Sequence, residues 1–262
     1  MSLRLGQQIQ ALPRRSGLNG IMRQTVKRWI NAALRPAGVQ LVAVAQDERQ
    51  ALVDWLHSRS IGHVIDVGAN CGQFAQQLLD KGFRGTVHCC EPLSEAHASL
   101  AARFATHSQV EVLPRTAIGA YVGKASMNVA GNSVSSSVRP MLEIHEKAAP
   151  RSAYVGMEEA PLTTLDAQFG GACPMLDQGV LLKIDTQGYE ADVLRGASEV
   201  LPLCRGVLIE LSTGPLYEGQ ALWDELHRML TDSGFELWNL MPDFRDPESG
   251  RLLQFDGLYV RR

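Results

Sequence analysis

No run of this 262-residue chain approaches the ~20 consecutive apolar residues that a membrane-spanning helix requires. Nor does its first segment hold the continuous apolar stretch of a secretory leader. Cysteines number five, none at the paired spacings of a zinc site or a disulfide framework. That odd count, with Cys89-Cys90 inside an apolar run, fits a reducing compartment. An excess of one charge is also missing. Lys and Arg total 25 against 28 Asp and Glu, a net of −3 that gives no case for nucleic acid as the main partner. Together these absences predict a cytoplasmic protein. No internal repeat is visible. What is present, 45% hydrophobic and 20% charged residues, suffices for a full core and excludes bulk disorder.

Charge is nevertheless unevenly spread. Seven basic residues (Arg4, Arg14, Arg15, Arg23, Lys27, Arg28, Arg35) and no acid precede Asp47. Ile21, Val26, Trp29, Ile30, Ala33 and Leu34 approximate one helical face flanked by basic residues. Such a helix either packs on its own domain with a solvated basic side or lies on an anionic surface or an acidic partner. Residues 1–58 are therefore read as a helical extension, with peripheral contact at the inner membrane face as one of its uses. Residues 59–262 form the main domain.

The stretch His63–Gly82 organises that domain. Val64-Ile65-Asp66-Val67 is a short apolar run, Gly68-Ala-Asn-Cys-Gly72 a glycine-spaced turn, and Phe74, Leu78 and Leu79 share one face of a helix closed by Lys81-Gly82. Strand, tight turn and helix make the first unit of a nucleotide-binding α/β fold. Gly68 and Gly72 allow close backbone approach to a ligand, and the helix beginning at Gln73 directs its free N–H groups there. Asp66 needs a polar partner inside its apolar run. The next strand, Gly85–Cys90, ends at Glu91, which stands 19 residues after Gly72. Dinucleotide folds place a ribose-binding acid at about that distance.

Further strands are expected at Val110–Leu113, Gly179–Asp185, Gly206–Glu210, Phe235–Leu240 and Gln254–Val260. Helices fit Glu48–Ser58, Ser94–Ala105, Leu222–Leu230 and the Val193–Leu201 stretch, and Leu41–Val44 reads as a short strand. The joint between the last two strands is too short for a helical crossover, so they should run antiparallel. The stretch 115–178, too long for a simple crossover, reads as β-hairpin material (Ala125–Ala130, Val134–Val138) and a mobile cover.

Four segments together resemble the FkbM family of S-adenosylmethionine-dependent methyltransferases. They are Ile65-Asp-Val-Gly-Ala-Asn-Cys-Gly72, Glu91-Pro92, Thr164-Leu-Asp166, and Leu182-Lys-Ile-Asp-Thr-Gln-Gly-Tyr-Glu190 with Val193-Leu-Arg-Gly-Ala197. The resemblance implies the Rossmann-like class I methyltransferase fold, a seven-stranded mostly parallel sheet with an antiparallel last strand and helices on both faces. It also implies S-adenosylmethionine as cofactor, S-adenosylhomocysteine as product, and O-methylation of a sugar, glycan or polyketide-like hydroxyl. On the matched positions, Gly68, Asn70, Gly72 and Gln73 would line the methionine part, and Asp66 would anchor the turn or the amino group. Glu91, with Pro92 beside it, would take the ribose hydroxyls, and Thr116-Ala117-Ile118 would approach the adenine. Asn70 stands where the general motif has its middle glycine.

Methyl transfer to a hydroxyl needs a group to take its proton. Asp185 and Glu210 end neighbouring strands, about 4.8 Å apart, at the edge where α/β sheets bind ligands. Two such carboxylates would drive one pKa upward, and they can instead share a divalent cation. No dedicated metal site is expected. Lys183, on the face of Asp185, can neutralise it. Asp185 is also expected to border the cofactor. The acceptor would meet the cover at about 119–163, through Ser135, Ser136, Ser137, Arg139 and His145. His88 and His97 read as core groups. A nicotinamide-dependent reductase shares the opening unit, but the turn lacks Gly-x-Gly-x-x-Gly and no Tyr-x-x-x-Lys pair is present. A fold-retaining binding protein without catalysis is the other alternative.

Overall fold

The computed structural model describes residues 47–170 and 178–262. The first helix, α1 (Glu48–Ser58), is capped by Asp47, whose carboxylate accepts the Gln50 N–H. β1 (His63–Val67) leads through the glycine turn to α2 (Gln73–Asp80), and β2 (Thr86–Cys90) is followed by α3 (Ser94–Phe104) and β3 (Val110–Val112). Then come β4 (Ala117–Ile118), β5 (Gly123–Ala130), α4 (Glu143–Ala148), β6 (Tyr154–Thr163) and α5 (Leu165–Phe169). β7 (Val180–Ile184), α6 (Glu190–Arg195), β8 (Cys204–Ser212), α7 (Trp223–Asp232), β9 (Phe235–Pro242) and β10 (Gln254–Arg261) complete the described chain.

Seven strands form one sheet in the order β3-β2-β1-β7-β8-β10-β9. β3, β2, β1, β7 and β8 pair in parallel, while β10 is antiparallel to both β8 and β9. The reversed strand is thus last in sequence but lies inside the sheet. β1 and β7 are apolar because helices cover both faces. Val64, Leu181 and Leu208 meet Leu52, Val53 and Leu56 of α1, Phe74 and Leu78 of α2, and Leu100 of α3. Ile65, Leu182, Ile184, Val207 and Ile209 point the other way, toward Leu165, Val193, Leu194, Leu226 and Leu230. Strand alternation then puts Asp66 and Lys183 on the α1–α3 face.

The burial of α1 moves the domain boundary. The compact unit runs from Asp47 to Arg262, so α1 belongs to the main domain and not to an extension ending at residue 58. The basic helix expected at Ile21–Leu34 and the strand at Leu41–Val44 lie outside the described residues, and so does the use of that helix at a membrane or on a partner. Among the described residues, no helix is long and apolar enough to cross a membrane.

The long middle region is a second, three-stranded sheet in the order β4-β6-β5. β5 pairs antiparallel with β6 along its length, and its one strand-like bridge to residues 134–138 among the described residues is Asn128–Ser137. β6 wins because its Ala160 and Leu162 pack with Ala125 and Met127 of β5, and with Leu93, Ala96 and Tyr189 of the main domain. The serine-rich stretch satisfies backbone groups: Ser136 Oγ accepts the Ala130 N–H at 2.9 Å. The helix expected through Leu201 ends early, at Arg195. Asp166 accepts the N–H groups of Glu199 and Val200 at 2.9 and 3.0 Å and so caps a turn there.

Candidate active site

A cavity of about 290 Å³ opens at the carboxyl ends of β1, β2 and β7, beneath the small sheet. Its floor is the glycine turn. Gly68, Asn70 and Gly72 all have positive φ, at 80°, 48° and 80°. Gly68 is needed for a contact within the protein: a Cβ there would lie 1.9 Å from the Asp185 carbonyl oxygen. A Cβ at Gly72 would strike Phe104 and Leu100 of α3, so this glycine serves helix packing and does not line the cavity. Gly68→Ala is therefore expected to cost about 3 kcal/mol of stability or more, measured by denaturant unfolding.

Asp66 lies under the turn, fully buried and outside the cavity wall. Its Oδ1 pairs with Lys183 Nζ at 2.9 Å, and the same ammonium donates to the Gly68 carbonyl at 3.1 Å. Burial raises the Asp66 pKa and Lys183 opposes that rise; burial pulls the lysine down, but Asp66 and Asp185 together hold it above its ordinary value. Lys183 is 3.4 Å from Asp185 Oδ2, so Asp66 is its nearer carboxylate. In this way β1, the turn and the end of β7 are tied by one buried cation.

Glu91 forms the next wall and is only 3% exposed. Its Oε2 accepts the Asn70 N–H at 2.7 Å and its Oε1 the Leu93 N–H at 2.8 Å. Burial pushes its pKa up to about 7, against the pull of those two N–H groups. Each oxygen keeps a lone pair, so the carboxylate can accept from a pair of vicinal hydroxyls. Pro92, Leu93, Thr116, Ala117, Ile118 and Met127 continue this side as a largely apolar shelf. Gln73 lines the cavity at the start of α2, where no side chain caps the first turn.

Asp185 faces the cavity with its side chain 38% exposed. Glu210 does not reach it. It is level with Asp185 on the adjacent strand but buried, and its Oε2 accepts from Gln187 and Gln254 at 2.9 and 2.7 Å. Burial first, then Asp185 and Glu190, hold its pKa well above the ordinary carboxylate range. Among the described residues, no three or more His, Cys, Asp or Glu side chains are grouped to hold a metal ion.

Of the residues expected to meet an acceptor, Ser136 borders the cavity, and the other four do not. Ser135 Oγ accepts from Asn132, and Ser137 Oγ donates to the Gln187 carbonyl at 2.6 Å. Arg139 pairs with Asp192 at 2.8 Å and donates to the Glu218 carbonyl. His145 is buried between Tyr217 and Phe244, at centroid distances of 5.2 and 5.4 Å, and burial lowers its pKa to about 4. It is a core group, because α4 turns inward onto Leu216, Tyr217 and Leu253. The wall also includes Ser133 of the serine-rich cover, together with Arg49, Phe74, Gln77, Gln187 and Asp256, which were not foreseen as site residues. Gln187 had a sequence signal, since it stands two residues after Asp185 at the end of a central strand; Arg49 and Asp256 come from distant elements and had none.

With the geometry in place, the sequence matches the profile of the methyltransferase FkbM domain over residues 66–237. This chain belongs to the FkbM methyltransferase family. S-Adenosylmethionine (SAM) is accordingly the cofactor of this methyltransferase, and S-adenosylhomocysteine (SAH) its product. Among solved structures the methyltransferase is similar to magnesium protoporphyrin IX methyltransferase of Synechocystis PCC 6803 with bound SAM. That pair is 13% identical, with 92% of this chain and 97% of that one covered and a TM-score of 0.43. A SAM-dependent methyltransferase of Aquifex aeolicus is 12% identical over 80% of this chain and 88% of that one, with a TM-score of 0.41. No curated relative matches the sequence. Arg49 and Asp256 fall outside the matched span, so one wall of the cavity is built by residues beyond the family domain.

Proposed function

We propose that this methyltransferase is an O-methyltransferase acting on a hydroxyl of a sugar, glycan or polyketide-like small molecule. The observation that carries the reading is Asp185, a carboxylate open to the same cavity that Glu91 borders. SAM supplies an electrophilic methyl group on sulfur, so the protein's task is to hold and deprotonate the acceptor. Glu91 would hold the two ribose hydroxyls on its remaining lone pairs. Thr116, Ala117, Ile118 and Met127, which line the cavity, would offer surface to the adenine, and Gly68 and Asn70 would border the methionine end.

Asp185 would accept the acceptor's proton as its oxygen takes the methyl group and the carbon–sulfur bond breaks, with SAH as the leaving group. Lys183, already committed to Asp66, keeps that carboxylate in place from below. Arg49, Gln73, Gln77 and Asp256 add hydrogen-bonding groups to the cavity lining, with the Arg49 guanidinium over the Phe74 ring, which suits a polyhydroxylated acceptor. Incubation with methyl-labelled SAM and a panel of nucleotide sugars, lipid-linked glycans and small polyols tests the reading. Alkali-stable label on an acceptor oxygen is expected. Label confined to nitrogen or carbon acceptors would reject it.

A further inference from the structure

Two cations line the cavity among the described residues, Arg49 and Lys183. Lys183 is committed to Asp66 at 2.9 Å and to the Gly68 carbonyl at 3.1 Å. Arg49 keeps most of its capacity. Its Nη2 stands 3.7 Å from Asp256 Oδ2, beyond hydrogen-bond reach. Its Nη1 is shut off from water and finds no hydrogen-bond partner among the described residues. A guanidinium holds five N–H donors in a fixed fork and cannot shed its charge, so a half-buried one without acceptors is costly until an acceptor arrives.

The position of Arg49 is nonetheless held. It belongs to the first turn of α1, which Leu52, Val53 and Leu56 anchor in the core, and its guanidinium lies over the Phe74 ring at 5.1 Å. An aromatic ring attracts the cation without taking up its in-plane N–H groups. Phe74 is the second residue of α2, and Gln73 before it also lines the cavity. No side chain caps the first turn of α2, so its backbone N–H groups and the positive end of its dipole favour an anion at the place where Arg49 stands. Elsewhere the lining is acidic, through Glu91, Asp185 and Asp256, which disfavours an anion there. A planar carboxylate is the group that a guanidinium fork meets with two parallel hydrogen bonds.

We propose that Arg49, seated on Phe74 at the start of α2, is a carboxylate-binding residue of the cavity. Two small molecules of the reaction can bring that carboxylate: the amino-acid end of the cofactor, or an acceptor of the uronic acid class. The first source needs only the cofactor; the second rests on the sugar-hydroxyl reading above and narrows it to acidic sugars. Neither requires Asp185 to act as the base.

Calorimetry on the full chain tests the role with SAH and with its decarboxylated analogue, which differs only in lacking the carboxylate. Arg49→Met keeps the side chain's reach and removes its charge and donors. If the cofactor is the source, this variant should bind SAH about 30-fold more weakly than wild type and the analogue equally well. Arg49→Lys, a point charge without the fork, should recover part of the SAH affinity and stands in should Arg49→Met fail to fold. A second arm titrates the SAH-saturated proteins with methyl glucuronide and the neutral methyl glucoside. If the acceptor is the source, wild type should prefer the glucuronide by about 10-fold or more, and Arg49→Met should lose the preference while SAH affinity holds. Equal weakening of SAH and its analogue marks a structural role and overturns the proposal. So does unchanged SAH affinity with no preference between the two glycosides. Methyl label found only on nitrogen or carbon acceptors rejects the hydroxyl reading and leaves the SAH arm to decide Arg49.

Discussion

Glu91→Ala is expected to weaken SAH binding by about 100-fold, the equivalent of two hydrogen bonds to a charged group. The fold should persist, because Val87, Cys89 and Cys90 of β2 remain buried in the two cores. The stronger form of the prediction is the pH dependence. The ribose hydroxyls donate to the ionised carboxylate, and burial places the Glu91 pKa at about 7. Wild-type affinity should therefore fall about tenfold for each pH unit below that value, and the variant should lose the dependence.

The stability of the unliganded protein carries the opposite sign. A carboxyl group whose folded pKa is raised from 4.5 to about 7 contributes stability that is fully present below the lower value and lost as pH rises through the upper one. That contribution is about 3 kcal/mol. Removing Glu91 should flatten the decline of unfolding temperature over the same pH range. Titration calorimetry and thermal unfolding at several pH values check both arms. A wild-type affinity that does not vary between about pH 5.5 and 8 would falsify the assignment.

The second large effect concerns turnover. Asp185→Asn should lower kcat by about 10²- to 10⁴-fold on the acceptor found by the labelling screen, with SAH affinity within about threefold. The substitution is isosteric, so the asparagine oxygen still accepts from Gln187 in the place of Oδ1. Lys183 keeps its nearer partner, Asp66, and the fold should lose no more than about 1 kcal/mol. Steady-state kinetics and denaturant unfolding on the same preparation separate the two effects. Undiminished turnover would remove Asp185 from the chemistry, and an equal fall in cofactor affinity would make it a binding group.

Much of the sheet was legible because its signals are local. Strands β1, β2, β7, β8, β9 and β10 announce themselves as apolar runs bounded by turn residues, and α2 begins where Gly72 permits a positive φ. The Glu91 carboxylate was legible from spacing, since the strand that carries it must pair beside β1. The cover was harder. Residues 134–138 alternate as a strand would, yet β6 took the pairing with β5 because its buried residues also meet Leu93 and Tyr189. His145 looked like a chemical group in a loop and proved to be packed against two aromatic rings.

The amino-acid sequence alone determined the parallel order of β1 and β2, the turn between strand and helix, and the acid at the end of β2. Each depends on steric limits and hydrogen bonds within a few residues, or on the one register that buries a run of apolar side chains. Only the tertiary structure decided that Glu210 stands behind the cavity and Asp185 in its wall. Only it brought Arg49 and Asp256 into the lining of the site. Tyr217 meets Gln187 across 30 residues and Gln187 meets Glu210 across 23. Such contacts depend on which of many possible partners the packed core leaves within reach, and no local pattern encodes that choice.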